Sequence, residues 1–423
     1  LLAFAFPLLL GNLFQQLYNT VDVLVVGNFV GKEALAAVGS TTVIVNTLVL
    51  FFNGVSIGAG VVIGQNYGAH DEKQLHLAIE TTMAITFLCG VLFTFIGVSM
   101  VPFMLRFMST PEDVLPSASV YLRIYFSGIA GLLIYNMGSG ILRAVGDTRR
   151  PLYFLCFSSV TNIVLDPVMI LGLGWGVAGA AIATVIGNLA ASLFYVGYFL
   201  RKKSSLSIRL KDFRMGDRIA ASVASIGIPA SLNNILMSCA NIVLNLMLGG
   251  YGDTPVAAMG VAMKSNMIVV LLQIGLCAGI QPLIGYNYGA RNRKRLLQVF
   301  RFTGIFAVVM GSILTAVMVM AKRFVVQAFI NDPEVIAYGM QMVIALQLSG
   351  PFIGILFLCI NTIQGMGKAI PSLILTVCRQ GLIFIPLIII LNKVVGLNGV
   401  IYAQSVADYC SIVIAVGICL GIF

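Results

Sequence analysis

The chain has 423 residues, 59% hydrophobic and only 9% charged, with a mean hydropathy of +1.01. Soluble proteins carry about 25% charged residues and a bilayer span needs ~20 mostly apolar ones. The composition therefore excludes a water-soluble globule and leaves no hydrophilic stretch for a nucleotide-binding or catalytic domain; the net charge of +10 matters through where the basic residues fall.

Apolar runs between charged or Gly/Pro-rich breaks predict twelve spans, at residues 1–28, 35–66, 76–102, 116–143, 151–172, 177–200, 219–249, 256–287, 297–321, 336–365, 370–391 and 396–423. The chain opens at Leu1 inside an apolar run, so both ends read as trimmed and the first run as a span rather than a cleaved signal peptide. Even-numbered connections hold seventeen Lys and Arg, from Lys73 to Lys368, and odd-numbered ones hold five: Lys32, Arg106, Lys322, Arg323 and Lys393. Basic residues stay cytoplasmic, so both termini are expected there. The longest basic connection, near 201–218, reads as a topology determinant beside anionic lipid. It divides the chain into an N-lobe (1–200), a linker (201–218) and a C-lobe (219–423). All eight cysteines lie in apolar runs without CxxC spacing, and are expected to pack as small hydrophobes rather than form disulfides or a zinc site.

The two halves repeat each other. Ile63-Gly-Gln-Asn-Tyr-Gly-Ala69 recurs as Ile284-Gly-Tyr-Asn-Tyr-Gly-Ala290, 221 residues on, and Gly31 to Gly39 recurs as Gly252 to Gly260 at the same offset. Pro111-Glu112 and Ser127-Gly128 recur as Pro333-Glu334 and Ser349-Gly350 at offset 222; Gly176-Val-Ala-Gly179 recurs as Gly396-Leu-Asn-Gly399 at offset 220. Six spans per half is an even number, so both halves insert the same way up. This is a parallel repeat about an axis along the membrane normal. The expected fold is an all-α polytopic membrane protein, twelve helices in two six-helix lobes, working as a secondary transporter by alternating access.

The repeat is also an internal control, because scaffold features should occur twice. Charges at membrane depth cost roughly 2.5–3.5 kcal/mol on insertion scales and mark function by default. Asp22 in span 1 and Asp166 in span 5 have the repeat partners Leu244 and Pro386, so both acids belong to the first half alone. Asn162 is four residues before Asp166 and shares its face. Thr184 in span 6 and Tyr121 in span 4 are candidates to join them, and Gln15 shares the Asp22 face. Two neighbouring carboxylates in a low-dielectric site cannot both ionise cheaply, which makes the pair a proton carrier. The oxygens of Asp22, Asn162, Asp166 and Thr184 equally suit Na⁺, and the sequence does not choose between the ions. The bland alternative is that the two acids only fix helix packing.

The second half carries Lys264, Arg379 and Asp408 where the first has Val43, Ser159 and Asn188. Lys264 or Arg379 would contact acidic groups on a substrate, or else pair with Asp408 to fix helix register. Glu80 and Arg123 fall near span ends, where snorkelling explains them. Met137, Met169, Met247, Met259, Met263 and Met267 would give a soft, adaptable cavity wall, or simply pack.

With these positions in hand, the chain resembles the multidrug and toxic compound extrusion (MATE) family over its whole length. The resemblance rests on Leu17-Tyr-Asn-Thr-Val-Asp22 with Val26-Gly27, Ala34-Leu-Ala-Ala-Val-Gly39, Arg143-Ala-Val-Gly-Asp-Thr148, Asn162 through Asp166-Pro167 and Gly176-Val-Ala-Gly-Ala-Ala181. Gly279-Ile-Gln-Pro282, Gly285-Tyr-Asn-Tyr-Gly-Ala290, and Arg379-Gln380 before Ile385-Pro386 look like its DinF-like branch. The resemblance implies export of organic, often cationic lipophilic compounds in exchange for H⁺ or Na⁺, with the ion site in the N-lobe. Carried over by position, that site is Asp22, Asn162, Asp166 and Thr184, with Tyr121 beside them; Gln15 and Asn136 resemble drug-cavity positions. The NorM-like branch places acids in spans 7 and 10, where this chain has none.

A flippase for lipid-linked oligosaccharides, from the same wider superfamily, is the competing reading; it calls for more cavity cations than Lys264 and Arg379. A major-facilitator-type transporter is set aside because the loop Gly68-Ala-His-Asp-Glu-Lys73 lacks that class's motif. A passive channel needs neither twin lobes nor a titratable pair in one of them. An enzyme is not expected, since the only histidines, His70 and His76, lie in or beside a loop. The expected partners are small organic substrates and the bilayer of a prokaryotic cytoplasmic membrane, with no cofactor, no fixed metal and no nucleic acid, in a monomer.

Overall fold

The computed structural model describes residues 32–108, 110–200, 217–329 and 332–422, together with Pro7, Leu10, Gly11, Phe14, Gln15, Val25, Val26 and Val30. Every regular element among them is a helix. Span 2 is Lys32–Gly68, span 3 Glu72–Phe107, span 6 Gly176–Leu200, span 7 Asp217–Gly249, span 8 Asp253–Gly289, span 9 Arg293–Met320 and span 12 Leu397–Ile422. Spans 4 (Leu115–Ser127 and Ile129–Ala144) and 10 (Pro333–Gln347 and Gly350–Gly365) are bent pairs. Span 5 (Arg149–Pro167) continues as a π-helix over Val168–Gly172; span 11 runs Ala369–Val377, a π-helix Cys378–Phe384, then Ile385–Val395. Among the described residues, nine helices are long and apolar enough to cross a membrane alone, or eleven with each bent pair taken as one span. These are the expected spans 2 to 12. Most of span 1, Asp22 included, lies outside the described residues.

The repeated motifs have structural roles. After Asn-Tyr-Gly-Ala the chain turns through a left-handed residue, His70 (φ 55) in one half and Arg291 (φ 54) in the other. The Asp71 N–H donates to Asn66 O (3.2 Å) and the Asn292 N–H to Asn287 O (2.9 Å), which closes each helix end. The Asp71 and Asn292 side chains then accept from the Gln74 and Arg295 N–H groups (3.1 Å each), starting spans 3 and 9.

The Ser-Gly repeat marks the bends. Span 4 turns by 50° at Gly128 and span 10 by 45° just before Gly350. A Cβ on Gly128 would meet Val185 Cγ1 at 2.3 Å, so only glycine lets span 6 approach the bend.

By packing, the chain divides into Leu2–Ser231 and Leu232–Phe423. The division falls inside span 7, which contains Pro229. The first part of span 7 lies on span 2 through a small-residue crossing: a Cβ on Gly58 would meet Val223 O at 2.4 Å, and one on Gly54 would meet Ser231 N at 2.5 Å. Ser231 Oγ donates across it to Phe51 O (2.7 Å). Within the N-terminal unit, Phe52, Val101, Leu105, Leu122, Phe126 and Ile129 form the core of spans 2 to 4. The second unit has its own cores, around Leu248, Met259 and Phe384 and around Ile284, Leu356 and Ile363. Large apolar side chains remain exposed in both units, with Leu193 at 70% and Val413 at 73%, as lipid contact requires.

Candidate ion-coupling site

Asp166 ends the regular part of span 5. Pro167 has no N–H, which leaves the preceding turn one donor short, and the helix widens into its π segment immediately after. Such segments are frequent at functional sites. Two glycines bring span 6 against this stretch: a Cβ on Gly179 would meet Met169 atoms at 3.1–3.2 Å, and one on Gly187 would meet Ser158 O at 3.0 Å. Thr184, between those glycines, is thereby set against Asn162. Asp166 is 0% and Asn162 3% exposed.

The Asn162 amide sits between the other two side chains and has two usable orientations. In one, Nδ2 donates to Thr184 Oγ1 (3.2 Å), whose hydroxyl donates in turn to Ala180 O (3.1 Å). The amide oxygen then faces Asp166 Oδ2. In the other, Nδ2 donates to Asp166 Oδ2 (3.3 Å), while Oδ1 accepts from Thr184 N and Oγ1 (3.2 Å each). An amide is assigned from its neighbours, and the second orientation satisfies both ends of this one, whereas in the first Oδ1 faces only acceptors. An ionised carboxylate accepts only, so it takes the second orientation; a protonated one donates to Oδ1 and takes the first.

Tyr121 is buried nearby, its ring stacked on Tyr125 (6.4 Å between centroids). Both belong to the apolar cluster of Val26, Ile170 and Ala180, one turn beyond Asp166 and one turn before Thr184. Of the site expected from sequence, Asn162, Asp166 and Thr184 are therefore brought together, with Tyr121 in the adjoining apolar cluster; Asp22 lies outside the described residues.

Asn136 is half-buried; its Nδ2 donates to Leu132 O (3.0 Å) and its carbonyl accepts from Ser56 Oγ (2.8 Å). Met137 is buried in span 4, Met169 half-buried in the π segment, and Gln15 half-buried. Glu80 does not snorkel: it is buried, at 7% exposure, whereas Arg123 is exposed.

In the second unit Arg379 and Asp408 pair, Nε to Oδ1 at 2.9 Å, both nearly buried. Asp408 also accepts from Ser349 Oγ (2.9 Å) and Gln404 Nε2 (3.0 Å), and the guanidinium lies 5.2 Å from the Phe357 ring centroid. This is the register-fixing pairing posed from sequence as the alternative to substrate contact. Its added members, Ser349 and Gln404, were missed; the Ser349-Gly350 repeat was the available signal. Lys264 stands apart from the pair: it is exposed, with Nζ 5.4 Å from the Phe329 ring centroid, in the connection that follows span 9. Among the described residues no cluster of three His, Cys, Asp or Glu is placed to hold a metal.

The family model MatE matches this chain twice, over residues 7–168 and 229–390. The chain belongs to the MatE family. The two matches begin 222 residues apart (7 and 229), so each half satisfies the family pattern separately. The chain is 27% identical over 405 residues to the multidrug export protein MepA of Staphylococcus haemolyticus, covering 96% of this chain and 89% of that one. It is 32% identical over 339 residues to the probable multidrug resistance protein YoeA of Bacillus subtilis, covering 78% and 73%. It is similar to a MATE crystal structure in a bent conformation, with a TM-score of 0.93 at 25% identity, covering 98% of this chain and 92% of that one. The chain is thus a multi-pass membrane protein with the MATE transporter fold, as its sequence led us to expect.

Proposed function

We propose that this MatE-family chain is a secondary active multidrug exporter that moves organic, often cationic lipophilic compounds outward in exchange for inward H⁺, through a site in its N-terminal lobe. The family and its relatives, named for multidrug export and resistance, support the transport class. The observation that carries the coupling is the Asn162 amide, within hydrogen-bond reach of both Asp166 Oδ2 and Thr184 Oγ1. Protonation of Asp166 reverses that amide and passes the change to Thr184, and so from span 5 to span 6. Asp22, with no acid opposite it in the repeat, is the second member of the proton-carrying pair. The widened turn after Pro167 gives span 5 room to rearrange. Gln15, Asn136, Met137 and Met169 line the drug path in this reading, and the DinF-like branch is the one the chain fits.

The working location is a prokaryotic cytoplasmic membrane, with both termini inside, as the basic connections direct. The transporter acts as a monomer and uses no cofactor. Linkage is reciprocal: if the proton weakens drug binding, the drug must weaken proton binding by the same factor. Everted vesicles loaded by an imposed pH gradient or an imposed Na⁺ gradient test the reading with ethidium as the probe. Accumulation driven by the pH gradient alone, and lost in Asp166→Asn at equal expression, is expected. Accumulation driven by Na⁺ alone would move the same residues from proton carriers to Na⁺ ligands. No ethidium movement under either gradient would count against export itself.

A further inference from the structure

A groove of ≈ 510 Å³ runs along the outside of the C-terminal unit, between spans 9, 10 and 12. Its walls are apolar apart from Arg301, which stands at one end and is exposed. On span 9 the groove is lined by Arg301, Ile305, Val308 and Val309, spaced as one helical stripe. Gly304 lowers the wall between them, and the free thiols Cys359 and Cys419 form part of the opposite side. From Arg301 to Val309 is about 12 Å at 1.5 Å per residue. That is close to the ~15 Å depth of one leaflet's hydrocarbon.

The position of Arg301 fixes which end is the headgroup end. It lies two turns inside span 9, beside the basic turn of Arg291, Arg293, Lys294 and Arg295. An arginine there reaches the headgroup level with its charge while its stem stays in hydrocarbon. The internal repeat shows that the groove is no scaffold requirement. At offset 221, Arg301, Gly304 and Val308 correspond to Glu80, Met83 and Phe87; at offset 220, Cys419 corresponds to Phe199. The first half thus has an acid in place of the arginine and larger side chains at these three other positions, with the smaller Ala84 in place of Ile305, and its Glu80 is buried.

We propose that this groove is a binding site for one anionic phospholipid of the surrounding leaflet, its phosphate on Arg301 and an acyl chain along Ile305, Val308 and Cys419. Charge selects the headgroup, and the groove holds the chain. Phosphatidylcholine fits the groove and presents the same phosphate, but its quaternary ammonium offsets the charge that Arg301 attracts, and a free phosphate gains the arginine without the groove.

Native mass spectrometry of the delipidated, detergent-purified full chain tests this, titrating phosphatidylglycerol, phosphatidylcholine with the same chains, and glycerol phosphate. Wild type is expected to bind phosphatidylglycerol about fivefold more tightly than phosphatidylcholine, the scale of one basic residue at an anionic lipid. Arg301→Gln should erase that preference by weakening phosphatidylglycerol more than phosphatidylcholine. Gly304→Met with Val308→Phe, which copies the first half, should weaken both lipids. Arg295→Gln, off the stripe, should change neither. Equal binding of the two lipids to wild type, a preference that survives Arg301→Gln, or displacement of the lipid by glycerol phosphate at equal concentration would each overturn the proposal. Arg301→Gln changes one exposed side chain, and its melting temperature checks that the fold is kept.

Discussion

Asn162→Leu keeps the bulk of the side chain and removes both ends of its amide. Asp166 then loses a donor when ionised and an acceptor when protonated, and a hydrogen bond to a charged group contributes roughly 1.5–3 kcal/mol. Ethidium efflux is expected to fall at least about tenfold, that energy expressed as a rate. Thr184→Val should lower it as well, whereas Thr184→Ser should not, with surface expression checked in parallel. Asp166 and Asn162 were legible from their four-residue spacing, and Thr184 only from family resemblance and residue type. The second orientation of the amide depends on inter-helix distances of 3.2 Å to Thr184, which no spacing encodes. Arg379 and Asp408 were each legible as costly residues, but the register of span 11 on span 12 made them a pair. Breaking a buried pair on one side costs about 3–5 kcal/mol, while replacing both members by apolar groups is often neutral. Arg379→Met alone should therefore melt well below wild type in detergent, and the Arg379→Met/Asp408→Leu double variant should recover most of the loss.

At the level of helices, glycine positions separate two kinds of contact. A Cβ on Gly58 meets the Val223 carbonyl oxygen at 2.4 Å, so backbone has to move; nothing lies within 4 Å of one on Gly417. Gly58→Ala is expected to destabilise by roughly 1–3 kcal/mol through overpacking. Gly417→Ala should stabilise by up to ~1 kcal/mol through helix propensity. Thermal unfolding of both variants checks the opposite signs. The spans themselves were legible because a long apolar run has few alternatives in a bilayer. Most were expected shorter than the helices found: span 8 was expected at 256–287 and occupies Asp253–Gly289. The bends in spans 4 and 10 and both π-helical stretches were not read from sequence. Ser-Gly and Pro signal a break without giving its angle, which packing by Val185 or the Asp408 network then sets.

For the whole molecule, the repeat carried the reading. Two halves that share loop caps and bends differ in their buried charges: an acid beside an amide in one, a neutralised ion pair in the other; in the function proposed above, the first is the part that changes state. The asymmetry was visible in sequence, because Asp22 and Asp166 face Leu244 and Pro386 across the repeat. Coupling requires that the state of the acid and the binding of drug oppose each other. The direct measurement is proton release on adding ethidium to the purified, unbuffered transporter, for wild type and Asp166→Asn. The coupling proposed here predicts release from wild type and its loss in Asp166→Asn, even at ethidium concentrations that saturate the variant, whose neutral amide mimics the protonated acid. No release from wild type, or an undiminished release from Asp166→Asn, would contradict it.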